Sequence, residues 1–258
     1  MLNFENVTLE TQDRIAIITL NRPKKLNAIN ADLKRDLVAI LNEIENNNDL
    51  RVLIIRGAGR AFCAGGDLSA IQNKKGMGRP EDLRFSQTVL KRIVHMDKIV
   101  IAAVHGFATG AGCNLALGAD LVYAAQGTQF GQSFIKVGLV PDWGGMYLLP
   151  LLAGVRKAKE WMLLGETFDA QDALSCGLIN GIFDEKKLFE KVLQIAQKLA
   201  VCPKTAAHLI KKIVNNFAYE GLQKILDAEL EAFTECADSS DFIEGINAFL
   251  EKRKPVFG

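Results

Sequence analysis

Histidine is scarce in this chain, and its cysteines form no pattern. The three histidines, at 95, 105 and 208, fall at no HxxxH or HExxH spacing, so no metal site is expected. The five cysteines (63, 113, 176, 202 and 236) are odd in number and include no CxxC pair. They read as reduced thiols of an intracellular protein, not as a disulfide framework. Neither sign of charge dominates: 31 Lys and Arg against 30 Asp and Glu leave +1, which gives no nucleic-acid footprint. No apolar run approaches the ~20 residues needed to span a bilayer, so no membrane association is expected. Residues 1–13 show no basic stretch followed by an apolar one, so no signal peptide and a cytoplasmic location are expected. What remains is a 258-residue chain, 49% apolar and 24% charged, with room for one large domain or a core with an appendage.

The stretch Ile99 to Asp120 organises the reading. Ile99 to Val104 is a short β-branched apolar run, the pattern of a buried strand. Gly106, Gly110 and Gly112 follow among small residues, and Cys113 to Leu117 reads as the first turns of a helix. A strand that enters a helix through glycine leaves unpaired N–H groups at the helix start, where negative charge is favoured. Glycine for tight packing alone is the alternative.

Upstream, Arg14–Leu20 and Arg51–Arg56 read as strands. Ala31–Asn46 carries Leu33, Leu37, Ile40, Leu41 and Ile44 at helical spacing behind Asn30 as N-cap. Gly57 to Asp67 is a long loop off a strand end, 72–80 reads as a polar mobile segment, and 81–96 as a helix. Downstream, a strand at 120–125, helices at about 145–164 and 170–176, and a last strand at 178–183 precede helices over 185–200, 203–217, 219–237 and 241–252. Strands alternating with helices imply an α/β sheet with helices packed on it. Ligands of such sheets sit beyond the strand C-termini, where both glycine loops lie. The division expected is an α/β core over 1–190 and a helical section over 191–258, packed on its own core or on a neighbouring subunit.

Five stretches in order carry a family likeness: Asn21–Ala28, Ala61–Leu68, Val104–Ala116, Phe130–Gln132 and Gly138–Gly145. Together they resemble the crotonase (enoyl-CoA hydratase/isomerase) superfamily along nearly the whole chain. The resemblance implies a spiral of ββα repeats, an acyl-CoA thioester as substrate with no further cofactor, and a homotrimer or dimer of trimers in which the C-terminal section takes part. It also implies an oxyanion hole made by the N–H groups of Gly66 and Ala111. One such donor is typically worth ~3 kcal/mol in the transition state. Lys24, Leu26, Ala64, Gly65 and Leu68 match positions around the CoA. For Asp67, shaping of that loop stands beside an N-cap role, and the cap is favoured. The basic run 252–254 reads as a solvated helix end, with the CoA phosphates as the alternative. His95 and His105 read as structural. Segment 72–86 is expected to bound the acyl pocket.

The likeness departs from the hydratases at their two glutamates, which align with Asn114 and Phe134 here. Asn takes no proton at neutral pH and Phe none at all, so hydration by that pair is excluded. Asn114 is expected near the substrate or packed on its helix. Asp142 is the remaining carboxylate, with Trp143 beside it and Phe134 opposite. It reads as a catalytic base, or else as a helix N-cap. The Gly138–Gly145 form is closest to the 1,2-epoxyphenylacetyl-CoA isomerase branch. The expected activity is transfer of a double bond from the 3- to the 2-position of an enoyl-CoA, or isomerisation of a ring epoxide. Alternatives are a hydratase-type lyase, an aspartate-nucleophile dehalogenase and a non-catalytic acyl-CoA-binding homologue.

Overall fold

The computed structural model describes residues 4–71 and 80–258; the mobile segment expected at 72–80 and the first part of the expected pocket boundary fall outside them, except for Pro80 onwards. The strands are β1 (Val7–Gln12), β2 (Ile15–Leu20), β3 (Val52–Gly57), β4 (Ile99–Val104), β5 (Phe107–Thr109), β6 (Leu121–Ala125), β7 (Gln129–Gly131), β8 (Thr167–Asp169) and β9 (Gly181–Phe183). The helices are α1 (Ala31–Asn46), α2 (Leu68–Ile71), α3 (Pro80–His95), α4 (Ala111–Leu117), α5 (Gly145–Ala153), α6 (Val155–Leu164), α7 (Ala170–Ser175), α8 (Leu188–Ala200), α9 (Lys204–Ala218), α10 (Leu222–Ala237) and α11 (Ser240–Glu251).

A six-stranded sheet runs β1-β2-β3-β4-β6-β9, parallel except for β1, and a small sheet runs β5-β7-β8. The chain passes from large sheet to small sheet to helix, as in β4, β5, α4, and again from β6 through β7 to a 3₁₀ turn and α5. This is the ββα spiral implied by the resemblance.

The central strands β2, β3 and β4 of the large sheet are buried on both faces, which explains their nearly continuous apolar sequences. Ala16, Ile18, Leu53, Ile55, Val100 and Ala102 point into the main core with α1, α3 and α4. Ile15, Ile17, Val52, Ile54 and Ile101 point the other way, onto Val192, Ala196 and Ala200 of α8. The boundary expected at 190 thus falls in a helix that serves as a layer of the core. The cap of α1 is as expected, Asn30 Oδ1 accepting from Leu33 N at 2.9 Å. The buried stripe of α1 also includes Lys34.

The C-terminal helices pack on their own chain: α9 on α3 and β4, α10 on α3 and α5, and α11 on the 3₁₀ turn Ser133–Val137. Along α9, Ile210, Ile213, Val214 and Phe217 remain exposed.

Some boundaries differ from expectation. The helix of 145–164 is two helices parted by Gly154 (φ 81°). The strand of 178–183 shrinks to β9, its first residues forming a buried turn. Helix α4 starts two residues earlier than its sequence suggests. Strands β3 and β4 run in parallel register, Arg56 opposite Ala103, so the loops that leave their C-terminal ends emerge side by side.

Candidate active site

The loop after β3 is held between two other stretches of chain. On one side Ala64 N donates to Leu26 O (3.0 Å), Ile29 N to Gly65 O (2.7 Å) and Asp67 N to Ile29 O (2.9 Å). On the other side Cys63 N donates to Phe107 O and Thr109 N to Cys63 O, both at 3.0 Å. Gly65 has φ +94°, and a Cβ there would meet Thr109 O at 2.8 Å, so only glycine allows this approach. Pairing with Ile29 uses the carbonyl of Gly65 and the N–H of Asp67. Among the described residues, the N–H of Gly66 is left without a backbone partner.

The second loop behaves similarly. Gly110, at φ +53° and ψ −127°, precedes α4 and offers no side-chain cap, so Ala111 N–H heads the helix unpaired among the described residues. Both N–H-bearing residues line one cavity of about 670 Å³. Lys24, Leu26, Ala64, Gly65, Asp67, Leu68, Phe134 and Asp142 line it as well, so a single site collects all but one of the residues singled out in the sequence.

The exception is Asn114, which is fully buried and absent from the cavity wall. Its Nδ2 donates to the backbone carbonyl of Asp142 at 2.7 Å, and its Oδ1 accepts from Gln132 Nε2 at 2.7 Å. Of the two places expected for Asn114, the structure corrects the one against the substrate and shows the packed one: it lies behind the site and holds the loop carrying Asp142.

Asp142 does not cap a helix. Helix α5 begins at Gly145 after Gly144 as N-cap, with no side-chain cap bond. Two helix-start N–H groups go to Glu229 of α10, whose carboxylate accepts from Gly144 N and Met146 N at 2.9 Å each. Burial pushes Glu229 up to about 8, against the pull of those two N–H groups. Between Asp142 and Gly144, Trp143 is buried in a left-handed conformation (φ 52°), unfavourable for a bulky side chain and characteristic of functional turns. The Asp142 Oδ1 is buried without a hydrogen-bond partner among the described residues. Burial raises its pKa from 3.8 to about 7, with Lys34 pulling down and Asp82 pushing up.

The other two carboxylates on the cavity wall are engaged. Asp82 pairs with Lys34. Asp67 accepts from Ser69 Oγ (2.6 Å) and Arg22 Nη2 (2.8 Å). Burial raises the Asp67 pKa, but these two donors outweigh it and hold it below the usual range. These contacts tie Asp67, the residue before α2, to Arg22 and to Ser69.

His105 Nε2 lies 2.9 Å from Gly59 O, a structural contact. In the basic run, Arg253 is taken up by Glu244 and Glu251. Phe134 lies against Gly110, and Phe233, Phe242 and Phe249 from the C-terminal helices complete the apolar wall. Glu229, which holds the 144–146 turn, and these phenylalanines were not anticipated because they come from the C-terminal helices; Lys34 was not, because it lies on the apolar stripe of α1.

The family model for enoyl-CoA hydratase/isomerase matches residues 10–258. The chain belongs to the enoyl-CoA hydratase/isomerase family. Among its relatives is the 1,2-epoxyphenylacetyl-CoA isomerase of Escherichia coli, 38% identical and covering 98% of each chain. Another is the short-chain-enoyl-CoA hydratase of Clostridium acetobutylicum, 35% identical over 98% of this chain and 97% of that one. Among solved structures, an enoyl-CoA hydratase of Mycobacterium avium subsp. paratuberculosis superposes with TM-score 0.90 at 26% identity, covering 98% of both chains. An enoyl-CoA hydratase/isomerase of Pseudoalteromonas atlantica gives 0.89 at 32%, covering 98% of this chain and all of the other. This crotonase-fold member therefore has relatives named for both chemistries. In its described residues no helix is long and apolar enough to cross a membrane, and no His, Cys, Asp and Glu cluster fits a metal.

Proposed function

We propose that this family member is an acyl-CoA isomerase with a single aspartate base. It shifts a 3-enoyl-CoA to the 2-enoyl isomer, or isomerises a ring-epoxide CoA thioester in the same pocket. The observation that carries the reading is Asp142: of the described carboxylates on the cavity wall, it alone has a buried oxygen without a partner. The thioester oxygen accepts from the N–H groups of Gly66 and Ala111, which stabilise the enolate more than the neutral carbonyl. That acidifies C2. Asp142 takes a proton from C2, the electron pair enters a dienolate, and the carboxylic acid returns the proton at C4 as the double bond forms between C2 and C3. One base serves both steps, so no second carboxylate is needed. A pKa near 7 suits a group that must both take and give a proton. Lys24, Leu26, Ala64 and Leu68 would hold the adenine and pantetheine of CoA, which is part of the substrate; no separate cofactor is required. The E. coli relative named as an isomerase supports this reading. The family resemblance supports a homotrimer or dimer of trimers, to be tested by sedimentation equilibrium.

The deciding experiment is a paired assay of wild type and Asp142→Asn with a 3-enoyl-CoA and a 2-enoyl-CoA. Conversion of the former that is lost in the variant, with negligible hydration of the latter, supports the one-base mechanism. Hydration that survives the substitution overturns it and favours the hydratase reading that the Clostridium relative's name suggests. Acyl-CoA binding without turnover of enoyl or epoxide substrates leaves a binding homologue.

A further inference from the structure

The acyl cavity contains a polar group that moving a double bond along a hydrocarbon does not call for. Lys34 lies on the apolar stripe of α1, three residues before Leu37 and seven before Leu41, and only 3% of its surface is exposed. Its ammonium pairs with the Asp82 carboxylate and lies 3.4 Å from Ser86 Oγ, both on α3. All three residues line the cavity that contains Asp142. Burying an ion pair returns little net stability, because desolvation offsets the attraction and an apolar pair of similar volume does as well. Joining α1 to α3 therefore does not account for the pair. An ammonium has three N–H donors, and among the described residues Asp82 and Ser86 take two.

We infer that Lys34 and Ser86 form a polar subsite in the acyl cavity that receives a neutral oxygen of the acyl group, as in an ether, epoxide, carbonyl or hydroxyl. The substrate is then an oxygen-bearing acyl-CoA, not a plain hydrocarbon one. This deepens the reading above and rests on its acyl-CoA part. The oxygen is neutral because Asp82 already balances the ammonium. A carboxylate at the same place would face both Asp82 and Asp142 in one enclosed space. The free N–H of Lys34 donates to the incoming oxygen, while the Ser86 hydroxyl, which donates to the Asp82 backbone carbonyl at 3.1 Å and accepts from Lys34, positions the ammonium.

Binding of unreactive saturated acyl-CoAs tests this without turnover. Calorimetry compares hexanoyl- and octanoyl-CoA with analogues in which an ether oxygen replaces one methylene at successive positions from C3 outward, and with a carboxylate-ended acyl-CoA. At one position the ether should bind roughly ten-fold or more tightly than its hydrocarbon match, as for a hydrogen bond to a charged donor. Lys34→Met should erase that preference and improve hydrocarbon binding, Ser86→Ala should reduce it, and the carboxylate-ended ligand should gain nothing. The inference is overturned if wild type prefers the ether at no position, an outcome that needs no variant to fold. A preference that persists in Lys34→Met overturns it too. Equal binding of ether and hydrocarbon removes the subsite alone, whereas absence of any acyl-CoA binding removes the acyl-CoA reading with it. Loss of the isomerase mechanism in the Asp142→Asn assay leaves the subsite standing.

Discussion

In the proposed mechanism Asp142 acts as a base only when ionised, so the isomerisation rate should rise with pH through an inflection near 7 and flatten above it. Lys34 pulls that value down and Asp82 pushes it up, so Lys34→Met should move the inflection to higher pH; a pH–kcat profile of each protein checks this. The same carboxyl bears on stability. Its pKa is about 7 folded and near 3.8 unfolded, so between those values the folded state holds the proton more tightly. Stability is therefore lost as pH rises from about 4 through about 7, with an upper bound of roughly 4 kcal/mol. Asp142→Asn removes the charge. It should raise Tm at pH 8, change it little at pH 4, and abolish turnover; thermal melts at the two pH values decide. Asp142 was legible in the sequence because it sits in a motif of glycines and proline. Lys34 was not, since a lysine on a helix reads as solvated until the facing helix is known.

At the scale of elements, the turn 142–146 is held from two directions, by Asn114 of α4 and Glu229 of α10. Glu229→Ala leaves two helix-start N–H groups without their acceptor. It should lower kcat at least ten-fold while changing acyl-CoA affinity much less, because the turn positions the base and not the CoA. Single-turnover rates and binding measured on the same variant separate the two. Helix α1 was readable to the residue, since its apolar spacing and Asn30 cap are local. The direction of Asn114 was not: all seven residues of α4 are buried, so no polar face marks which way a side chain points. Strands β5, β7 and β8 have three residues each, too few for a period, and exist because they pair with one another. Strand β1 was missed because it is an edge strand with a largely polar, half-exposed sequence.

For the whole molecule, burial in the main core leaves two thiols out of reach. Cys63 and Cys113 are buried and pushed up to about 12, while Cys176, Cys202 and Cys236 have some access to solvent. A thiol reagent should label at most three cysteines in the native protein and all five after denaturation. The overall architecture was legible from the order of motifs, because the glycine loops emerge where parallel strands end. How the C-terminal helices close the cavity was not, because amphipathic helices do not reveal which surface they cover. Fixing the 142–146 turn from both sides also has an isotopic consequence. In the proposed one-base mechanism the same carboxyl serves C2 and C4, so the hydrogen should leave and return on one face of the acyl plane. Deuterium placed on that face at C2 should reappear at C4, not wash out into the medium, and mass spectrometry of a single turnover would read the transfer directly.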